Sequence, residues 1–239
     1  DIAEMHFAPT VRNKQNLIKE NITQGIYVTG NTVIDALKYT VCTEYTFKDP
    51  ILKDIDFSKG RYILLTVHRR ENLGMPLENI CRAVKKLVQE FDDVYFIYPV
   101  HLNPIIRKTV NSILGDTEKL YLIDPIDVQD MHNLIARCYM VMTDSGGLQE
   151  EAPAFGKPVL VLRNETERPE AIEAGTVKLA GIIEDNIYNM GLEILADKNI
   201  YERMAKAINP YGDGRASERI VNAILYEFGR GEKPENFGI

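Results

Sequence analysis

Short apolar, β-branched runs alternate along this chain with segments of 3.6-residue periodicity, and that alternation constrains the fold more than any other feature. The runs cover 25–29, 62–67, 94–99, 120–123, 139–143 and 158–162. Helical patterns cover 32–43, 77–90, 104–114, 127–137 and 147–155 between them. In the clearest, Ile80, Val84, Leu87 and Val88 fall on one face. Alternation at this spacing predicts an α/β fold with a doubly wound parallel sheet. Crossovers should be right-handed, with ligands at the carboxyl ends of the strands. The later segments 185–197, 200–207 and 217–228 read as helices, and the Gly-, Pro- and charge-rich tail 230–239 as frayed.

Composition removes several classes of function. The 239 residues suffice for one large or two small domains. A net charge of -7 argues against a general binder of nucleic acid or membrane surfaces, which needs a basic face. No apolar run approaches the roughly 20 residues of a membrane span, and no signal-peptide pattern is visible. Cys42, Cys81 and Cys138 are scattered and odd in number, as reduced, buried cysteines of a cytoplasmic protein would be. The sequence carries no metal-ligand spacing, Walker loop, G-x-S-x-G elbow or G-x-G-x-x-G fingerprint.

The most informative stretch is Thr143-Asp144-Ser145-Gly146-Gly147-Leu148-Gln149-Glu150-Glu151-Ala152-Pro153. It reads as strand, Ser-Gly-Gly turn, helix. Ser145, Gly146 and Gly147 let the backbone approach a ligand closely, and a helix start offers unpaired N–H groups, which suits a phosphate or diphosphate. Glu151 sits one helical turn after Gly147 on the same face. A carboxylate there repels a diphosphate but can grip sugar hydroxyls, so the pair suggests a nucleotide or nucleotide-sugar. A plain turn is the alternative for Gly-Gly alone.

Four loops carry further candidates. His68-Arg69-Arg70-Glu71-Asn72 ends the run 62–67 and suits a charged ligand; a solvated charged turn is the alternative. Tyr98-Pro99-Val100-His101-Leu102-Asn103-Pro104 places His101 at a strand's carboxyl edge, where a structural role is the alternative. In Thr166-Glu167-Arg168-Pro169-Glu170, Pro169 marks a helix start and aims Arg168 at the Ser-Gly-Gly turn; the alternative is a surface salt-bridge cluster. Asn209-Pro210-Tyr211-Gly212-Asp213-Gly214 either caps the following helix or lines the cleft. His6 and His132 carry no constellation and read as structural, and nothing in the spacing of Glu165, Glu167 and Glu170 demands an acid/base pair.

Taken together with His6-Phe7-Ala8-Pro9-Thr10 and Gly30-Asn31-Thr32-Val33-Ile34-Asp35, these loops resemble, in order, those of the non-hydrolysing UDP-N-acetylglucosamine 2-epimerases. The resemblance implies a GT-B-like fold of two Rossmann-like domains with the nucleotide sugar in the cleft. It implies interconversion of UDP-GlcNAc and UDP-ManNAc by elimination and re-addition of UDP through 2-acetamidoglucal, with no redox cofactor. It implies that Ser145, Gly146 and Gly147 hold the diphosphate and that Glu151 binds the ribose hydroxyls. Arg168 and His68 would face the diphosphate, His68 helping UDP to depart. Met131 lies where family members often have Phe near the uracil. Arg69 and His101 match residues that touch a second, activating UDP-GlcNAc, and a homodimer is the family's usual state.

The family has an amino-terminal domain ahead of a segment like His6-Phe7-Ala8-Pro9-Thr10, with the carboxylates proposed for proton transfer at C2. The resemblance therefore divides the chain into a remnant of that domain at 1–28, a UDP-binding Rossmann-like domain at 29–208, and a helix and tail at 209–239 that pack back on the first domain. It implies exposed apolar surface on the remnant, a poorly anchored helix at 217–228 and no epimerisation by this stretch alone. The readings set against it are a GT-B glycosyltransferase with a UDP-sugar donor, a nucleotide-sugar sensor and a hydrolysing relative.

Overall fold

The computed structural model describes residues 2–238. In chain order these form β1 (His6–Ala8), α1 (Val11–Lys19), β2 (Ile26–Val28), α2 (Thr32–Thr40) and α3 (Pro50–Asp54). There follow β3 (Arg61–Thr66), α4 (Met75–Glu90), β4 (Val94–Pro99), α5 (Pro104–Leu114), β5 (Leu120–Ile123) and α6 (Val128–Arg137). The remainder is β6 (Met140–Thr143), α7 (Gly146–Glu151), β7 (Val159–Val161), α8 (Pro169–Glu173), β8 (Val177–Leu179), α9 (Glu184–Ala196), α10 (Lys198–Lys206) and α11 (Ala216–Glu227). No helix among the described residues is long and apolar enough to cross a membrane.

The chain divides into two compact units, residues 41–208 and residues 1–40 with 209–239. The large unit holds a parallel sheet in the order β5-β4-β3-β6-β7-β8. The chain runs outward from β3 through β4 to β5, then returns to lay β6 against β3. That reversal opens a crevice at the carboxyl ends of β3 and β6. Alternate strand residues, Ile63, Leu65, Phe96, Tyr98, Met140 and Met142 among them, are fully buried with Ile80, Val84 and Leu87 of α4. This matches the α/β, doubly wound expectation. The helical turn after α7 stops at Gly156, whose left-handed backbone (φ 64°) would bring a Cβ to 3.0 Å from the Ala205 carbonyl oxygen.

The small unit pairs β1 with β2 in parallel. It reaches past the boundary placed after residue 28, because α2 belongs with α11. Asp35 of α2 is buried and accepts from the backbone N–H groups of Ala216 (3.0 Å) and Ser217 (2.8 Å), which caps α11. The 209–214 loop joins in, since the Asn31 N–H donates to the Tyr211 carbonyl at 2.7 Å. α11 is thus anchored within its own unit. Even so, α1 buries no residue, and Val221 of α11 and Phe228 just after it are exposed.

Four expectations need correction. First, the tail is folded rather than frayed: Phe237 N–H donates to the Val28 carbonyl (2.8 Å), and Val28 N–H donates to Asn236 Oδ1 (2.9 Å). The Arg219 guanidinium lies 5.4 Å over the Phe237 ring. An open strand edge at β2 offers backbone partners that a tail rich in polar residues can take. Ile239 lies outside the described residues. Second, β1 and β8 escaped the periodicity reading because each three-residue strand carries a polar residue, His6 or Lys178, whereas the equally short β2 and β7 are wholly apolar. Third, the short α3 was missed; it is announced by Asp49, whose side chain accepts from Ile51 and Leu52 N–H, and by Pro50. Fourth, Cys81 and Cys138 are buried as expected, but Cys42 is exposed.

Asn236→Ala removes the acceptor for Val28 N–H. Hydrogen exchange at the Val28 amide should quicken about two- to tenfold, the equivalent of one net hydrogen bond. Unchanged protection would show that the tail does not cover this edge.

Candidate functional site

The crevice between β3 and β6 opens into a cavity of about 370 Å³. It is lined by the loops after β3, β4, β5 and β6, with His68, His101, Met131, Ser145, Gly147 and Glu151 among its walls. Thr66 and Thr143 are register partners on β3 and β6, and their hydroxyls are hydrogen-bonded at 2.5 Å. That contact locks the two strand ends together directly beneath the cavity.

One residue further on, Asp144 is fully buried and stitches the two loops. Its Oδ2 accepts from the backbone N–H of His68 (3.0 Å), the backbone N–H of Arg69 (2.8 Å) and Asn72 Nδ2 (2.9 Å). Arg69 Nε in turn donates to the Asp144 carbonyl at 2.9 Å. These bonds hold His68 at the cavity wall, with Arg69 next to it in the chain. The motif reading quoted Asp144 without giving it work.

Ser145 N-caps α7 without a side-chain cap bond, and its N–H donates to Thr143 Oγ1 at 2.9 Å. Two guanidinium groups converge on the turn. A Cβ built at Gly146 would lie 3.8 Å from Arg69 Nη2 and 4.0 Å from Arg168 Nη2. Arg168 is held by an ion pair with Glu150, which is buried. The Arg168 N–H also donates to Thr166 Oγ1 (3.1 Å), and that hydroxyl donates to Gln149 Oε1 (2.6 Å). The result is a pre-set fork of positive charge over a glycine turn, suited to oxygen anions. Pro169 starts α8, as the spacing predicted.

The rest of the Arg-Glu loop is a salt-bridge cluster. Arg163 is buried and donates to Glu71 (2.7 Å) and to both oxygens of Glu167 (2.6 and 3.0 Å). The Arg163 hydrogen bonds hold the Glu167 carboxyl down at about 2, with Arg69 adding attraction.

At the cavity's other end, α6 brings Met131 and His132 to the wall. His132 is buried, and its Nε2 lies 3.4 Å from Glu151 Oε2. His132 therefore has a partner in Glu151 that the spacing of the sequence did not reveal. No local pattern announced it, because only the packing of α6 beside α7 brings the two side chains together. His101 lines the cavity with its Nδ1 accepting from Asn103 N–H at 3.1 Å. Among the described residues, no group of three or more His, Cys, Asp or Glu side chains is arranged to hold a metal ion.

Fold and cleft together place the chain among Rossmann-like α/β proteins of the GT-B type. A family model described as UDP-N-acetylglucosamine 2-epimerase matches residues 1–225, and the chain belongs to that family. It is 52% identical over 238 residues to the UDP-N-acetylglucosamine 2-epimerase of Bacillus subtilis, covering 99% of this chain and 62% of that protein. Among solved structures it resembles a Staphylococcus aureus MnaA–UDP complex, with a TM-score of 0.92 and 48% identity over 99% of this chain and 64% of that one. The UDP-GlcNAc 2-epimerase of Neisseria meningitidis bound to UDP-GlcNAc gives a TM-score of 0.84 at 41% identity, covering 94% and 62%. The chain thus spans less than two thirds of the length of these relatives.

The low value at Glu167 fixes a sign for acid stability. Its folded value lies below the ordinary 4.5, so its ion pair stabilises the fold above pH 4.5 and is lost as pH falls toward about 2. Urea unfolding between those limits should show a shallower loss of stability in Glu167→Gln than in the parent chain. Parallel curves would remove Glu167 from the account.

Proposed function

We propose that this chain supplies the UDP-binding part of a non-hydrolysing UDP-GlcNAc 2-epimerase. The observation that carries the reading is the convergence of Arg69 and Arg168 over Gly146, whose neighbours Ser145 and Gly147 line the same cavity as His68. A diphosphate lying along Ser145, Gly146 and Gly147 would accept from both guanidinium groups and from the backbone N–H groups of the turn. Glu151, steadied by His132, would accept from the ribose hydroxyls. The uracil would lie toward Met131 on the wall that α6 provides.

In this reading UDP leaves C1 as a proton leaves C2, giving 2-acetamidoglucal. Return of UDP with protonation on the other face of C2 then gives UDP-ManNAc. His68 assists the departing diphosphate. Arg69 and His101 would also contact a second, activating UDP-GlcNAc. Arg168 serves as the fixed cation, since its pairing with Glu150 sets its position before any ligand arrives. The relatives named above supply the chemical identity of the ligand; both solved complexes hold UDP or UDP-GlcNAc. This stretch alone is expected to bind the nucleotide without turning it over.

Gly146→Ala tests the site with little strain, because the added methyl meets nothing closer than 3.8 Å. The methyl fills the space between the two guanidinium groups. Calorimetric affinity for UDP should fall at least about tenfold, the equivalent of losing one charge-assisted hydrogen bond. The thermal midpoint should hold. Equal affinity in parent and variant would place the diphosphate elsewhere. Accumulation of UDP-ManNAc from UDP-GlcNAc by this stretch alone would overturn the division of labour.

A further inference from the structure

Asp144 has a second oxygen that the stitching of the loops does not use. Oδ2 takes three N–H donors, whereas Oδ1 is buried and has no hydrogen-bond partner among the described residues. A buried carboxylate oxygen left without a donor is costly, so a donor within reach matters. His68 Nδ1 lies 3.2 Å from Oδ1, near enough for a hydrogen bond though not aligned as one. A small rotation of the half-exposed ring would align it, and such bonds in ligand-free sites commonly tighten when ligand binds.

The neutral imidazole carries one proton, on either nitrogen. A proton on Nδ1 faces Oδ1 attractively. A lone pair on Nδ1 would face a carboxylate lone pair and leave Oδ1 unsatisfied. We propose that Asp144 is a positioning residue that holds His68 in the tautomer protonated on Nδ1, so that Nε2 is the atom that meets a bound ligand. The backbone bonds from the same carboxylate to His68 and Arg69 fix where the ring starts, and Oδ1 fixes which edge it turns outward. One side chain thus sets both place and protonation pattern. The proposal rests on the nucleotide-binding reading for the ring's role, but not for the tautomer itself.

Nitrogen-15 NMR of the imidazole rings reads the tautomer directly. The four histidines are His6, His68, His101 and His132, and His68→Gln identifies the signals of interest. Spectra are recorded with and without UDP, at a pH where the His68 signals no longer move. The parent chain should show His68 protonated on Nδ1. In Asp144→Asn the carboxamide oxygen can keep the three N–H donors while its NH2 group faces Nδ1, so the proton should move to Nε2. Asn72→Ala loosens the same carboxylate without changing what faces Nδ1, and should leave the parent tautomer in place.

A parent chain protonated on Nε2 overturns the proposal, whether or not Asp144→Asn folds. A folded Asp144→Asn with the parent tautomer overturns it as well. Addition of UDP reports separately on the site: UDP that leaves every histidine signal unmoved would sink the nucleotide reading while the tautomer result stands.

Discussion

A single buried carboxylate fastens the strand ends on which the site is built. Asp144 follows β6 immediately, and its partners come from the loop after β3, the strand that the sheet order places alongside. Taking a carboxylate out of water is tolerable only where donors replace the lost hydration, and here three N–H groups converge on one oxygen. The arrangement exists because the chain reverses direction across the sheet between β5 and β6. Had β6 paired elsewhere, neither His68 nor Arg69 would stand beside the glycine turn.

Three arginines of these loops are held by acids. Arg168 is paired with Glu150, Arg163 with Glu71 and Glu167, and Arg69 with the Asp144 backbone and Glu167. A chain with a net charge of -7 can therefore offer a local anion site without a basic surface. The acids also order the forks, so little side-chain freedom remains to be lost when an anion arrives. Glu150 illustrates the point, since it is a buried residue of the helix that carries the glycine turn.

Much of this was legible in the sequence where the signal is local. The runs at 94–99 and 120–123 and the helix at 104–114 have the bounds that periodicity predicts. Asn103 and Pro104 show why: the side chain caps the helix and the ring fixes its first turn. The glycine turn and the His68-Arg69 loop were legible because strand ends in such sheets are where ligands bind. His132 and Glu150 were not, for their partners are brought to them by packing. The tail failed for a related reason. Its composition gives no hint that an open strand edge lies nearby, since that edge belongs to residues at the opposite end of the sequence.

That last contact carries a consequence for the order in which the molecule matures. The unit of residues 41–208 is continuous in sequence, so all its strands and helices have been synthesised before the partners of Val28 exist. The other unit is discontinuous, and the edge of β2 is closed by residues 236 and 237. A growing chain can complete the large sheet on the ribosome, but it must carry the small one with an open edge until those residues emerge. The interval between the two events is when neighbouring nascent chains have an unpaired strand to seize.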